Sequence, residues 1–165
     1  MNVEDKDIIQ KESVRRELRV SEKKIILFVG RLVARKGVQY LIKAFSKLRK
    51  ERNDVNLIIV GDGDYKKRLQ NLCKKLDVEN DVHFLGWIKN ERLAPYYLLC
   101  NVFVLPSFAE AWGLVLNEAM SLGKPVVSTT GVGAAYDLIK NGVNGFRVPE
   151  KDDDALYKAI KKIIS

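Results

Sequence analysis

Short runs of uninterrupted apolar residues alternate along this chain with longer stretches in which apolar positions recur every three or four residues. Runs of the first kind read as strands covered on both faces, and the longer stretches read as amphipathic helices. A leading helix is expected from about Asp5 to Arg19, with Ile8, Ile9, Val14 and Leu18 on one face, followed by a strand at Lys24 to Val29. The pattern then predicts a helix over about Val38 to Glu51, a strand at Asn56 to Val60, and a helix over about Tyr65 to Leu76. Next come a strand at Val82 to Leu85, a helix near Glu91 to Cys100, a strand at Val102 to Leu105 and a helix from Leu114 to Leu122, stopped by Gly123. A strand at Pro125 to Ser128, a helix near Ala135 to Asn141 and a short strand at Gly145 to Val148 lead to a last helix, whose start is marked by Asp152, Asp153 and Asp154.

Strands joined by helices through short turns call for parallel pairing, because parallel neighbours need a crossover. The expected fold is α/β and Rossmann-like: three layers, with a parallel sheet of about six strands between helices. The length of 165 residues and 47% hydrophobic content suit one sizeable core, so a single domain is expected over 1–165, with about 1–22 as a leading helix or linker. No apolar run is long enough to cross a membrane, and the charged start Met-Asn-Val-Glu-Asp-Lys-Asp does not read as a signal peptide. Cys73 and Cys100 lack a CxxC or His companion, so two buried thiols in a reducing, cytoplasmic setting are expected and no metal is implied. The net charge of +8 raises the question of nucleic acid. Lys and Arg are interleaved with Asp and Glu over nearly every helix, without aromatic interleaving, which favours solvated faces and a small anionic ligand.

In an open parallel sheet ligands bind beyond the carboxyl ends of the strands, and the unusual residues fall there. The loops are Gly30 to Gly37, Gly61-Asp-Gly63, Gly86-Trp87, Ser107 to Gly113, and Thr129 to Gly133. In the central loop, Ala111, Trp112 and Gly113 precede the helix where Ser, Thr, Asp or Asn would ordinarily cap it. Its first N–H groups are therefore available to an anion, whose charge the helix dipole favours. Glu118 lies more than a turn inside that otherwise apolar helix, so its carboxylate is either paired or aimed at something polar; a neighbouring Lys or Arg is one reading, with Glu110 as a solvated loop residue. Arg31 and Lys36 flank a short turn closed by Gly37, a spacing that lets two cations converge on a diphosphate or leaves both exposed. Gly61-Asp-Gly63 lacks the third glycine of a dinucleotide fingerprint and carries Asp62 and Asp64, so it reads as a turn, and an oxidoreductase half is disfavoured. Trp87 is expected in the core, with a place beside a base as the alternative, and His83 is expected to be structural.

Side by side, these loops resemble the donor-binding, C-terminal domain of the group 1 glycosyltransferases, the retaining, metal-independent enzymes of two-domain GT-B architecture. The resemblance rests on Gly30-Arg31-Leu32 with Lys36-Gly37, Val60-Gly61-Asp62-Gly63, Phe84-Leu85-Gly86, Pro106-Ser107, Glu110 and Glu118 with seven residues between them, Ala119-Met120, Asn141-Gly142 and Asn144-Gly145-Phe146. It covers about Lys24 to Ser165. It implies a catalytic role for Arg31, Lys36 and Glu110. Donor binding would fall to Gly30, Arg31, Lys36, Glu110, Trp112, Gly113, Leu114 and Glu118. Arg31 and Lys36 would hold the diphosphate, Glu110 would meet sugar hydroxyls, Glu118 would accept from the ribose, and the backbone from Trp112 to Leu114 would approach the phosphates. The ligand implied is a nucleotide sugar, with no cofactor or metal, and the activity a transfer of hexosyltransferase type.

The chain departs from the family at Gly133-Ala134-Ala-Tyr-Asp137, where the family shows a double glycine and then Glu, so sugar specificity is expected to differ. The family's N-terminal domain, which carries the acceptor site for a sugar, lipid-linked or other acceptor, has no counterpart in these residues. Half of an enzyme is therefore expected, inactive alone, either as a piece of a longer chain, a truncated gene product or one subunit of a split transferase. The full enzyme would be cytoplasmic, free or peripheral at a membrane, although this domain gives no sign of membrane contact. The competing reading is a non-catalytic nucleotide-binding or interaction module of the same fold.

Overall fold

The computed structural model describes residues 2–165. Strands β1 (Lys24–Val29), β2 (Val55–Val60), β3 (Val82–Gly86), β4 (Val102–Leu105), β5 (Val126–Thr129) and β6 (Gly145–Val148) form one sheet in the order β3-β2-β1-β4-β5-β6, every neighbouring pair parallel. Around it lie α1 (Val3–Leu18), α2 (Val38–Glu51), α3 (Lys66–Lys75), α4 (Ala94–Leu99), α5 (Leu114–Ser121), α6 (Gly133–Leu138) and α7 (Asp153–Ile164), with single 3-10 turns at Ala34–Lys36 and Asn90–Arg92. Every residue of β2, β4 and β5 is buried, and β1 is buried except at its first residue, as uninterrupted apolar strands require. The edge strands β3 and β6 are the ones with partly exposed residues at their centres.

Right-handed crossovers put α2 and α3 on one face, where α7 packs against α2, and α4, α5 and α6 on the other, where α1 packs against α4. This is the expected three-layer Rossmann-like arrangement. The strand order reverses direction between β1 and β4, so the loops leaving those two strands diverge to opposite sides of the sheet and open a crevice. Those are the loops carrying Arg31 and Lys36, and Glu110 to Leu114.

Two glycines hold the crevice's walls together. Gly37 has φ 72°, and a Cβ there would collide with the Pro106 carbonyl, so the first loop can lie against the central one only with glycine at this position. Gly61 has φ 142°, and its Cβ would strike the Gly30 carbonyl. Gly61-Asp-Gly63 is accordingly a packed turn, with Asp62 Oδ1 accepting from Gly63 N at 2.8 Å and Leu32 N donating to Asp62 O at 2.9 Å.

Helix ends differ from the sequence pattern for local reasons. Helix α1 starts at Val3 because Asn2 caps it, accepting from Asp5 N at 2.8 Å while Asp5 Oδ2 accepts from Asn2 N at 3.4 Å. Its expected apolar face is not one face. Val14 is buried and Leu18 packs on the core, but Ile8 and Ile9 are exposed. At roughly 100° per residue, Ile9 lies about 140° around the helix from Val14. Helix α6 stops at Leu138, short of the expected Asn141, because Asn144 takes over the backbone there: its amide donates to Leu138 O at 2.9 Å and its oxygen accepts from Lys140 N at 2.8 Å. Asp152 caps α7 by accepting from Ala155 N at 2.9 Å. His83 shares a 2.7 Å hydrogen bond with Asn56 Oδ1 on the neighbouring strand, a structural role. Burial pushes both cysteine thiols up to about 12, which keeps them protonated and unreactive.

Candidate functional site

The site is built on the central loop and the start of α5. Gly113, in left-handed conformation at φ 97°, precedes the helix, and no side chain caps it. Among the described residues the N–H groups of Leu114 and Val115 meet no acceptor, so the helix presents free donors to the crevice. The loop before it is fixed on both sides. Phe108 N donates to Arg35 O at 2.9 Å and Arg35 Nη1 to Ala109 O at 3.2 Å, tying it to the first loop. Glu110 N donates to Gly131 O, Gly133 N to Glu110 O and Ala134 N to Trp112 O, tying it to the segment after β5. Gly133 makes this bracing possible, since a side chain there would collide with the Ala111 carbonyl.

Glu110 is not a solvated loop residue. Its Oε2 accepts from Lys36 Nζ at 2.6 Å and from the wholly buried Ser107 Oγ at 3.1 Å, with Arg35 Nη1 at 3.9 Å. Ser107 is in turn held through its carbonyl, which accepts from the Thr129 hydroxyl. Glu118 has no Lys or Arg partner among the described residues; its Oε2 accepts from the Tyr97 hydroxyl at 2.9 Å. Both carboxylates of the central motif are thus held in fixed positions, one just before the start of α5 and one a turn inside it.

Arg31 and Lys36 are not in contact. Lys36 is engaged with Glu110, whereas Arg31 is exposed, has no protein partner among the described residues, and lines a separate cavity of about 580 Å³. That cavity is bounded by the ends of β1 and β2 with Gly30, Trp87, Leu93 and Val115, and it is mainly apolar. Trp87 corrects the expectation of core packing: it is 71% exposed and forms a wall of this cavity. An aromatic at a strand's carboxyl end, just after a glycine with φ 74°, turns outward because the chain leaves the sheet there. Trp112 and Leu114 are also exposed at the crevice, so α5 is buried along one side only; Trp112 is steadied by its indole N–H, which donates to Asn117 Oδ1 at 3.0 Å. Tyr97 is a residue that the sequence pattern gave no reason to single out.

A Rossmann-like sheet with free helix donors, an arginine without a partner among the described residues and two positioned carboxylates near its topological switch point defines an α/β domain able to receive an anionic ligand bearing hydroxyl groups. Comparison with known proteins assigns the family. Residues 10–165 match the model of the glycosyl transferases group 1, and the chain belongs to that family. It is 40% identical over 157 residues to an uncharacterised glycosyltransferase of Methanocaldococcus jannaschii, covering 94% of this chain and 40% of that protein. It is 31% identical to the GDP-mannose-dependent alpha-(1-6)-phosphatidylinositol monomannoside mannosyltransferase of Mycolicibacterium smegmatis, covering 88% of this chain and 40% of the relative. The chain thus spans about 40% of the length of these relatives. Among solved structures, the Anabaena protein HepE in complex with UDP and glucose superposes with a TM-score of 0.86 at 31% identity, over 94% of this chain and 42% of that one. The C-terminal domain of a glycosyl transferase group 1 family protein from Francisella tularensis superposes with a TM-score of 0.83 over 93% of this chain and 82% of that one, at 24% identity. The fold is that of the C-terminal half of a GT-B architecture.

Proposed function

We propose that this domain binds the donor of a retaining glycosyltransferase, a nucleoside-diphosphate sugar, and that the full protein moves its sugar to an acceptor carried by a further domain. The observation that carries the reading is the uncapped start of α5, whose Val115 lines the same cavity as Arg31, with the two held carboxylates in the chain just before and just after that helix start. The bound UDP of the Anabaena neighbour supports it. The apolar cavity beside Trp87 suits a nucleobase, Glu118 the ribose, Arg31 and the α5 N-terminus the diphosphate, and Glu110 the sugar. Lys36 need not abandon Glu110 to reach a phosphate, because an ammonium has three donors and one carboxylate oxygen uses one of them.

Sugar transfer from such a donor requires a diphosphate to leave while positive charge builds at the anomeric carbon. Arg31, Lys36 and the helix N-terminus stabilise negative charge that grows on the leaving group, so they lower the barrier without a metal. Neither glutamate is assigned as nucleophile or general acid. Titration calorimetry with UDP, GDP and ADP, each with EDTA, tests the reading. Binding of at least one with EDTA present is expected; failure of all three, or binding that requires a divalent cation, overturns it. A non-catalytic module of the same fold would bind nucleotide but gives no account of why Lys36 and Ser107 converge on Glu110.

A further inference from the structure

We infer that Tyr97 is the positioning residue for Glu118, fixing its carboxylate so that one oxygen faces the crevice to accept from a vicinal diol. The inference deepens the assignment of Glu118 to the ribose and rests on it. Glu118 sits in α5 among apolar helix neighbours such as Val115, Ala119 and Met120, and among the described residues no Lys or Arg holds it. A carboxylate in such a place needs a donor, and the Tyr97 hydroxyl supplies one to Oε2 at 2.9 Å. Oε1 has no protein donor among the described residues.

The tyrosine is itself held. It is 2% exposed, and its ring packs on Phe103 of β4 with centroids 5.6 Å apart. Burial, and secondarily the bond to Glu118, raises its hydroxyl above the ordinary value, so it remains a proton donor at any physiological pH. The pair also lies beside the candidate base cavity. Leu93 and Val115 line that cavity, and Tyr97 and Glu118 follow them by four and three residues along the chain, one helical turn on and on the same side.

Recognition of two adjacent hydroxyls depends on the plane of the carboxylate, and the Tyr97 bond removes the rotation that would disperse it. Tyr97→Phe keeps the ring and its packing and removes only the donor. Titration of the chain with UDP, GDP and ADP, each beside its 2′,3′-dideoxy counterpart, reads the effect. The wild type is expected to prefer the ribonucleotide. In Tyr97→Phe that preference should fall by about five- to tenfold, the scale of the net contribution of one ordinary hydrogen bond, with little change in dideoxynucleotide affinity. Glu118→Gln should abolish the preference, and adding Tyr97→Phe to it should produce no further loss. If Glu118→Gln removes the preference and Tyr97→Phe leaves it intact, the role of Tyr97 is wrong while the ribose assignment stands. If the wild type shows no preference, or binds no nucleotide, both fall. A Tyr97→Phe protein that loses affinity for ribo- and dideoxynucleotides equally assigns Tyr97 to the scaffold and overturns the inference.

Discussion

Removing Lys36 should expose how much its ammonium contributes by its bond to Glu110, apart from the proposed contact with the ligand. The Lys36 and Glu110 side chains are 11% and 17% exposed, and their charged atoms lie 2.6 Å apart. Exposed ion pairs contribute about 0–1 kcal/mol, whereas breaking a buried one costs about 3–5 kcal/mol. This pair is closer to the second case, but Ser107 and the distant Arg35 remain to share the orphaned carboxylate, so about 2 kcal/mol is expected for Lys36→Ala. For a domain of this size that is a fall in Tm of about 4–8 °C. Urea and thermal unfolding of Lys36→Ala, Glu110→Gln and the double variant form a cycle whose coupling should be about 1–2 kcal/mol. Arg31→Ala is the control: with an exposed, unpartnered side chain it should leave stability within about 0.5 kcal/mol of the wild type while costing about 1–3 kcal/mol in nucleoside diphosphate affinity. Additive effects in the cycle, or a Lys36→Ala protein as stable as the wild type, would refute the claim that this pair ties the first loop to the central loop.

Three further outcomes follow from the same geometry. Trp87→Ala should weaken nucleotide binding by about 1–3 kcal/mol, the scale of one base stacking on one aromatic, without changing Tm, because the ring is 71% exposed; an unaltered affinity in calorimetry moves the base elsewhere. Gly61→Ala should cost at least ~2 kcal/mol in urea unfolding, since a methyl group at φ 142° meets the Gly30 carbonyl, and wild-type stability would mean that the two loops separate readily. His83 is held below its ordinary value chiefly by burial, so the unfolded chain takes up the proton first. Its contribution to stability is complete above pH ~6.5 and is lost as pH falls toward the folded-state value, and His83→Gln should flatten that part of the stability profile.

The order and type of every strand and helix were legible because the buried strands are continuous apolar runs, and their parallel pairing leaves no polar face to confuse the period. Helix limits were less so. The cap at Asn2 and the stop imposed by Asn144 are side-chain hydrogen bonds, which hydropathy does not register. At the site, the missing cap before Leu114 was readable from residue types alone, as was the unusual depth of Glu118. What held Glu118 was not, since Tyr97 lies 21 residues away on another helix and looks like any other core aromatic. The same limit explains Trp87: a strand-end aromatic points inward or outward according to the backbone turn just before it, here at Gly86 with φ 74°. Arg31 and Lys36 share a loop in sequence, yet the 3-10 turn Ala34–Lys36 and the Gly37 contact with Pro106 carry Lys36 toward Glu110, while Arg31 stays with the cavity.

The central claim is that a nucleoside diphosphate seats at the switch point between β1 and β4, with its phosphates on the start of α5. Amide and indole chemical shifts of the labelled chain, recorded as UDP, GDP or ADP is added, locate the ligand directly. Trp87 and Trp112, the chain's two tryptophans, both border the proposed site, so their two indole resonances report on its opposite ends. Both indoles should move together with the amides of Gly30, Arg31, Leu114 and Val115, while the groove lined by Gln70, Lys74 and Glu79 beside α3 stays silent. Shifts confined to that groove, or spread evenly over the basic helices, would contradict it.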